Sequence, residues 1–164
     1  MSAFGVMFFG DPAGAFAHMR RAANPGARMA LVCWRPLAEN PWMEVPMNAV
    51  ARHLPPRPKP VPHAPGMFAF AEPERVSQVL TLAGWSPPRL EKLDLDLDIA
   101  AGRGLEEAVV QSTQIGAVNS WLRNQPAEIV SAAVASLREA LAAHADGASV
   151  RLPGAMWLIS SAPA

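Results

Sequence analysis

Cysteine, net charge and long apolar runs are all scarce in this sequence of 164 residues. Its single cysteine, Cys33, cannot form an internal disulfide, which is typical of a reducing compartment. The 14 basic and 14 acidic residues cancel, so no long-range field attracts phosphate backbones or anionic lipid heads. The longest apolar runs, such as 29–34, are far shorter than the ~20 residues of a membrane-spanning helix. We therefore expect neither nucleic acid nor a membrane as a partner.

Signals for secretion and for metal binding are also missing. The amino terminus has no basic region before its apolar stretch and no small-residue cleavage site, so we expect a cytoplasmic protein. The histidines lack the spacing of zinc sites, and no metal is predicted. Asp94, Asp96 and Asp98 alternate with leucines, but a calcium loop would need glycine and glutamate where Ile99 and Leu105 stand. A solvated strand face is the better interpretation of these three carboxylates.

Proline is abundant, and its excess is confined to one segment. Nine of the 17 prolines fall between Pro36 and Pro65. Because each proline removes a backbone donor and restricts the residue before it, 35–67 is predicted to be a lid or loop with at most one short helix near 43–53. Irregular segments of this length are usually functional or disordered.

Helices and strands alternate along the chain, which predicts a single α/β domain over 1–164. Asp11-Pro12 predicts a helix start. The Asp11 carboxylate can accept one of the backbone N–H groups that have no partner in the first turn, and Pro12 lacks an N–H that would itself have had no partner. Periodic apolar positions predict helices over 12–23, 72–84, 105–123 and 127–145. Apolar or alternating stretches predict strands over 28–34, 89–99 and 150–160. The first strand, MALVCW, is apolar on both faces, as expected for a strand covered on two sides.

Three stretches of the sequence resemble the later half of class I S-adenosylmethionine-dependent methyltransferases. They are FGVMFFGDP at 4–12, NPGARMALVCWRPLAENPW at 24–42 and EPERVSQVLTLAGW at 72–85. The resemblance implies a partial Rossmann-like fold of about three mixed strands, the fifth, seventh and sixth of the family, with flanking helices and 35–67 as the lid. It further implies that the seventh strand lies between the other two and is antiparallel to them.

The cofactor-binding half of that family has no counterpart in the sequence. In the family, a glycine-rich loop after the first strand and an acidic residue hold the cofactor, by the logic of dinucleotide sites. Gly102-Arg103-Gly104 is the only G-x-G, and Glu107 stands where a third glycine is needed, so a turn is the simpler interpretation. Met1 corresponds to the end of the family's fourth strand. We therefore expect a truncated or split enzyme whose chain alone does not bind S-adenosylmethionine.

The resemblance also assigns residues to a site. Phe4, Met7, Trp34, Asn40 and Trp42 would line the pocket of a small-molecule methyl acceptor. The residues that would border the cofactor are Ser2, Phe4 and Gly5. For the tryptophans, closure of the core is an equal alternative, and the stretch 4–8 is equally well explained as a hydrophobic plug. No catalytic general base is nominated, and Cys33 is expected to be an inert buried thiol, because no nearby cation lowers its pKa.

Two functions follow from these expectations. The first is the substrate-side half of a small-molecule methyltransferase, inactive alone. The alternative is a noncatalytic binding or oligomerisation module derived from one. Without the fourth strand, the first predicted strand has an exposed edge, so we expect a homodimer or a complex with a separate amino-terminal half through that edge. A third option is that the lid pocket binds a small apolar ligand by itself.

Overall fold

The computed structural model describes residues 1–58 and 61–164. The protein is α/β, with a mixed, open sheet and flanking helices. It divides into two compact units: unit 1 comprises Met1–Glu39, Pro60–Asp94 and Ala155–Ala164, and unit 2 comprises Asn40–Lys59 and Leu95–Gly154. The single domain expected over 1–164 stays a prediction, because compactness alone does not establish independent folding.

The helices and strands follow the predicted order with some additions. The helices are α1 (Pro12–Ala22), α2 (Pro41–Ala51), α3 (Pro73–Leu82), α4 (Leu105–Gln114), α5 (Gly116–Leu122) and α6 (Ala127–Ala142). The strands are β1 (Ser2–Ala3), β2 (Met29–Trp34), β3 (Arg89–Asp98), β4 (Ala145–Asp146) and β5 (Ser149–Ser161). The two-residue strands β1 and β4 are absent from the prediction, because segments so short carry no periodic signal.

Helix α1 begins where the sequence predicts. Asp11 accepts the backbone N–H of Gly14 at 3.0 Å through its side chain, and Pro12 fills the first helical position. Helix α3 likewise begins at Pro73, and its apolar stripe is buried. Both predicted helices are confirmed.

The sheet has the strand order β1-β2-β5-β3, with β4 paired to β5 outside this path. Strand β1 is parallel to β2, whereas β5 is antiparallel to it, from Met29 opposite Ser161 to Trp34 opposite Met156. The last long strand therefore lies between the other two and is antiparallel to β2, as predicted.

Strand β1 covers part of the edge that the sequence predicts to be open. Ser2 and Ala3 align with Leu31 and Val32, and the N–H of Phe4 donates to the Val32 carbonyl at 3.0 Å. The predicted exposed edge of β2 is thus corrected, because β1 forms the edge of the sheet at this point. Since successive peptide groups along a strand point to opposite sides, the N–H and C=O of Ala3 face away from β2.

The two faces of the unit 1 sheet are covered unequally. Opposite residues of an antiparallel ladder project to the same face, so Leu31 and Ile159 share one face and Val32 and Leu158 the other. Leu31 and Ile159 are buried, but Val32 is only half-buried and Leu158 is 40% exposed. The cover on both faces of β2 that the apolar run predicts is therefore incomplete on the Val32 side.

The core of unit 1 joins its helices to the sheet. Phe16 of α1 is fully buried, and its ring centroid lies 6.0 Å from that of Phe70. Trp85 follows α3 and donates its indole N–H to the Phe16 carbonyl at 3.0 Å. Gly84 has φ +81°, a left-handed conformation that ends the helix before Trp85.

Unit 2 consists mainly of helices around a second apolar core. Its fully buried members include Val50, Val118, Leu137, Leu141 and Leu152. Helix α2 confirms a short helix within the proline-rich segment, beginning and ending two residues earlier than the predicted 43–53.

The single helix predicted over 105–123 is wrong, because the structure divides it in two. Between α4 and α5, Ile115 is extended, with φ −110° and ψ 140°, and Gly116 has φ +57°. A left-handed residue interrupts helical hydrogen bonding, and glycine adopts this conformation without a Cβ clash. A glycine within an otherwise periodic stretch is a weak signal for such a break.

Candidate functional site

Phe4 and Trp34, both predicted site residues, are in contact in unit 1. Their rings are stacked, with centroids 4.4 Å apart and an interplanar angle of 16°. Trp34 ends β2, and Phe4 directly follows β1, so both side chains lie at the carboxyl ends of two parallel strands. Ligands of open α/β sheets bind at this edge.

The backbone of Phe4 is strained. Its φ is +58°, in the left-handed region that non-glycine residues seldom adopt. Such strain costs of order 1–3 kcal/mol and persists only where the surroundings impose it. At Phe4 the N–H bond to Val32 and the stack on Trp34 hold the residue on both sides.

The other predicted residues of unit 1 have different environments. Ser2 and Gly5 are close together, since a Cβ on Gly5 would lie 3.2 Å from the Ser2 hydroxyl oxygen. Met7 is buried, and its carbonyl accepts the N–H of Gly66 at 3.0 Å. Met7 therefore belongs to the core of unit 1, as the hydrophobic-plug alternative predicts.

Asn40 and Trp42 are brought together at the start of α2 in unit 2. Asn40 is fully buried, and its side-chain oxygen accepts the indole N–H of Trp42 at 3.0 Å. The Asn40 carbonyl also accepts the N–H groups of Met43 and Glu44. The side-chain bond fixes the orientation of the Trp42 indole, and the backbone bonds form the first turn of α2.

Trp42 forms one wall of a cavity in unit 2. The cavity has a volume of about 100 Å³, and the empty space including its mouth is about 450 Å³. The cavity is lined by residues of α2, α4 and α5 together with Ile99, which directly follows β3, and Ile115, which lies between α4 and α5; the others are Trp42, Met43, Pro46, Gln111, Ser112 and Val118. Sequence reasoning identified only Trp42 in this set. Gly116, which breaks the helix beside Ile115, is the signal that could have located the cavity.

The proline-rich segment lines a wider groove in unit 1. This groove, of about 530 Å³, is formed by Pro36, Leu37, 61–69, Ala71 and Glu72. The Nε2 atom of His63 lies 3.7 Å from the Oε2 atom of Glu72, and both side chains are well exposed. The predicted lid 35–67 thus contributes α2 to unit 2 and an open, mostly apolar groove to unit 1.

Arg35 is the buried charge beside Trp34. Its guanidinium is bonded to Glu39 and to Asp94, and its central carbon lies 5.4 Å from the centroid of the Trp157 ring. A buried cation is stabilised by such carboxylate and aromatic partners. Arg35 therefore anchors the end of β2 and is not a free cation for an anionic ligand.

Cys33 and Asp98 have perturbed pKa values for structural reasons. Burial raises the pKa of Cys33 to about 12, so the thiol stays protonated, in agreement with the expected inert cysteine. Desolvation raises the pKa of Asp98, but hydrogen bonds from Ser149, Val150 and the 100–102 backbone outweigh it and lower the pKa below its ordinary value. Asp98 therefore organises a turn, which corrects its assignment to a purely solvated face.

The G-x-G segment is confirmed as a turn. Gly102 and Gly104 have φ +74° and +85°. Their N–H groups already donate to Asp98 Oδ2 at 3.1 Å and to the Ala148 carbonyl at 2.7 Å. Because a bound phosphate or carboxylate would need such N–H groups, this turn does not fit a nucleotide cofactor.

Within residues 1–58 and 61–164, no three His, Cys, Asp or Glu side chains are grouped as metal ligands, and no helix has the length and apolar character needed to cross a bilayer. Comparison with protein-family models gives no match for this chain, and a search of curated protein sequences finds none either.

Proposed function

We propose that this chain forms the acceptor side of a small-molecule S-adenosylmethionine-dependent methyltransferase, and that the 164 residues alone neither bind the cofactor nor transfer a methyl group. The strand order carries the proposal. If β2, β5 and β3 are the family's fifth, seventh and sixth strands, the order β1-β2-β5-β3 and the antiparallel direction of β5 against β2 are required. Strand β1, parallel to β2, then takes the place where the fourth strand ends.

The Phe4–Trp34 stack supports the same proposal. Both residues lie at the carboxyl edge of the sheet, where the resemblance assigns an acceptor pocket. The two stacked rings, whose centroids are 4.4 Å apart, form a flat apolar surface against which a planar acceptor could be oriented. The sulfonium of the donor already carries the activated methyl group, so the protein mainly has to align the acceptor and exclude water. The stack would contribute to both.

The turn at Gly102 and Gly104 does not fit the cofactor itself, because its N–H groups are occupied. Ser2, Phe4 and Gly5 would therefore do no more than border a cofactor that another polypeptide holds.

The first experiment measures cofactor binding and methyl transfer. Calorimetric titration of the 164 residues with S-adenosylmethionine should give no binding, and one-to-one affinity in the micromolar range would contradict the proposal. A glycine-rich polypeptide encoded upstream of or beside this chain should restore transfer of a radiolabelled methyl group to small acceptors when co-expressed. In that pair, W34A should lower the rate by about tenfold or more, through loss of alignment. L82A, at an exposed position, should leave the rate unchanged.

We further propose that the partner, a second copy or a separate cofactor-binding half, pairs with the edge formed by β1. The outward N–H and C=O of Ala3 offer backbone hydrogen bonds, and Val32 and Leu158 leave the adjoining sheet face incompletely covered. A3P removes the outward N–H without removing a β1–β2 bond. Sedimentation of the wild-type chain should reveal association that A3P weakens, and a clean monomer with no affinity for a glycine-rich half would refute this assignment.

A noncatalytic binding or oligomerisation module is the second candidate. The half-exposed apolar face at Val32 and Leu158 favours it, since such a face is suited to an interface. Association that persists while no co-expressed half restores methyl transfer would favour this candidate over the first.

A further inference from the structure

The cavity in unit 2 has the walls of a site for an apolar group. Met43, Pro46 and Val118 are buried, and Trp42 and Ile99 complete the wall. An engineered apolar cavity of about 150 Å³ takes up benzene, so the 100 Å³ here, which opens into a wider mouth, suits one small ring or a branched alkyl end. None of the lining residues is charged. A charged ligand would lose its hydration without gaining a counter-ion there, so this lining favours an uncharged ligand.

Two polar side chains, on adjacent residues of α4, give the cavity a hydrogen-bonding side. Gln111 donates through its amide nitrogen to Glu107 at 2.7 Å. That hydrogen bond lowers the pKa of Glu107, with help from Arg103, so Glu107 is an ionised carboxylate that only accepts hydrogen bonds. The Gln111 amide nitrogen is thereby committed to Glu107, and its carbonyl oxygen remains as an acceptor.

The hydroxyl of Ser112 is the second polar group. Among the side-chain hydrogen bonds formed within residues 1–58 and 61–164, none uses this hydroxyl or the Gln111 carbonyl oxygen, and Gln111 bonds only through its amide nitrogen. One group accepts, and the other both donates and accepts. Together they match a ligand hydroxyl, which also donates and accepts.

We propose that this cavity binds a small uncharged molecule consisting of one ring or a branched alkyl group with a single hydroxyl. The apolar part would lie against Trp42, Met43 and Val118, and the hydroxyl would be held by Gln111 and Ser112. The site is contained in unit 2 and includes neither Phe4 nor Trp34, so it does not depend on the proposed methyl transfer.

Phenol and toluene, which have nearly the same shape, test both parts of the site. Saturation-transfer NMR on the full chain should detect both molecules, with phenol bound about threefold to tenfold more tightly, the factor expected for one net hydrogen bond. S112A should remove this preference by weakening phenol alone. S112L fills the cavity with an apolar side chain and should abolish binding of both probes.

The matched control is S120L, which makes the same change at an exposed position of α5 outside the cavity and should retain both affinities. I115W offers a second block, at the exposed mouth, should S112L lose its fold by circular dichroism. Binding of either probe that is unaffected by both S112L and I115W would overturn the location of the site, as would failure of both probes to bind the wild-type chain. Equal affinities for phenol and toluene would overturn the assignment of the hydroxyl.

Discussion

Phe4 combines a strained backbone with a stacked ring, and two substitutions separate these effects. Phe4→Ala removes the ring and keeps a Cβ at φ +58°, whereas Phe4→Gly removes the ring and relieves the strain. The usual order, in which alanine is more stabilising than glycine, should therefore be reversed at this position.

The magnitudes follow from the geometry. Loss of the 4.4 Å stack removes about 0.5–1.5 kcal/mol beyond burial, and loss of a half-buried aromatic side chain removes about another 1–1.5 kcal/mol, so F4A should destabilise by about 1.5–3 kcal/mol. In F4A, an L-residue in the left-handed region costs roughly 1–2 kcal/mol of stability. Glycine avoids this cost, but its larger loss of conformational entropy on folding cancels about 0.5–1 kcal/mol of the gain. F4G should therefore be about 1 kcal/mol more stable than F4A.

Urea denaturation of the full chain measures both variants, and the difference in midpoint at constant slope gives the free energy of unfolding. Phe8 supplies the control pair, since it is exposed, lies only four residues away and has no positive φ. F8A should be at least as stable as F8G. If F4A equalled or exceeded F4G in stability, the strain at Phe4 would be refuted, and with it the argument that the stack holds the residue in place.

Three further substitutions or treatments have defined outcomes. G154A should lower the free energy of unfolding by about 1–3 kcal/mol in thermal denaturation, because its Cβ would lie 2.5 Å from Leu97 Cδ1 and 3.4 Å from Trp42 Cδ1; an unchanged melting temperature would argue against this packing. The lowered pKa of Asp98 means that its carboxylate stabilises the fold fully above the ordinary aspartate pKa and loses this effect as the pH falls through the folded-state value. D98N should consequently lose less stability than the wild type on acidification below about pH 4. If the free energies of unfolding of the two proteins fell in parallel with pH, the stabilising role of the Asp98 carboxylate would be contradicted. Cys33 should resist a thiol reagent such as DTNB in the native protein and react on unfolding in urea; rapid native reaction would mean that its burial and raised pKa are wrong.

Local chemistry made much of the fold predictable. Asp11-Pro12 and Pro73 fix helix starts through bonds that involve only neighbouring residues. The apolar run of β2 and the Leu–Asp alternation of β3 gave the long strands within one or two residues. These elements need no knowledge of distant contacts, because their signals are periodicity and capping.

The failures arise where a distant partner or a single backbone angle decides the structure. Strand β1 forms only through its pairing with 29–34, and a segment of two residues carries no sequence pattern from which that pairing could be predicted. The break at Gly116 depends on one φ value within an otherwise helical pattern. In the site, the Phe4–Trp34 and Asn40–Trp42 contacts join residues that the resemblance had grouped, whereas Gln111 and Ser112 carry no motif that relates them to the lid.

Strand β5 lies between β2 and β3, so the residues near position 164 belong to the interior of the sheet. Chain termini often tolerate tags and deletions, but tolerance depends on what the affected backbone is bonded to. Met156–Ser161 form the whole ladder with β2, so a nonsense or frameshift mutation that removes 155–164 would leave β2 without its inner neighbour. A stop codon or frameshift within 155–164 should therefore disrupt the sheet of unit 1.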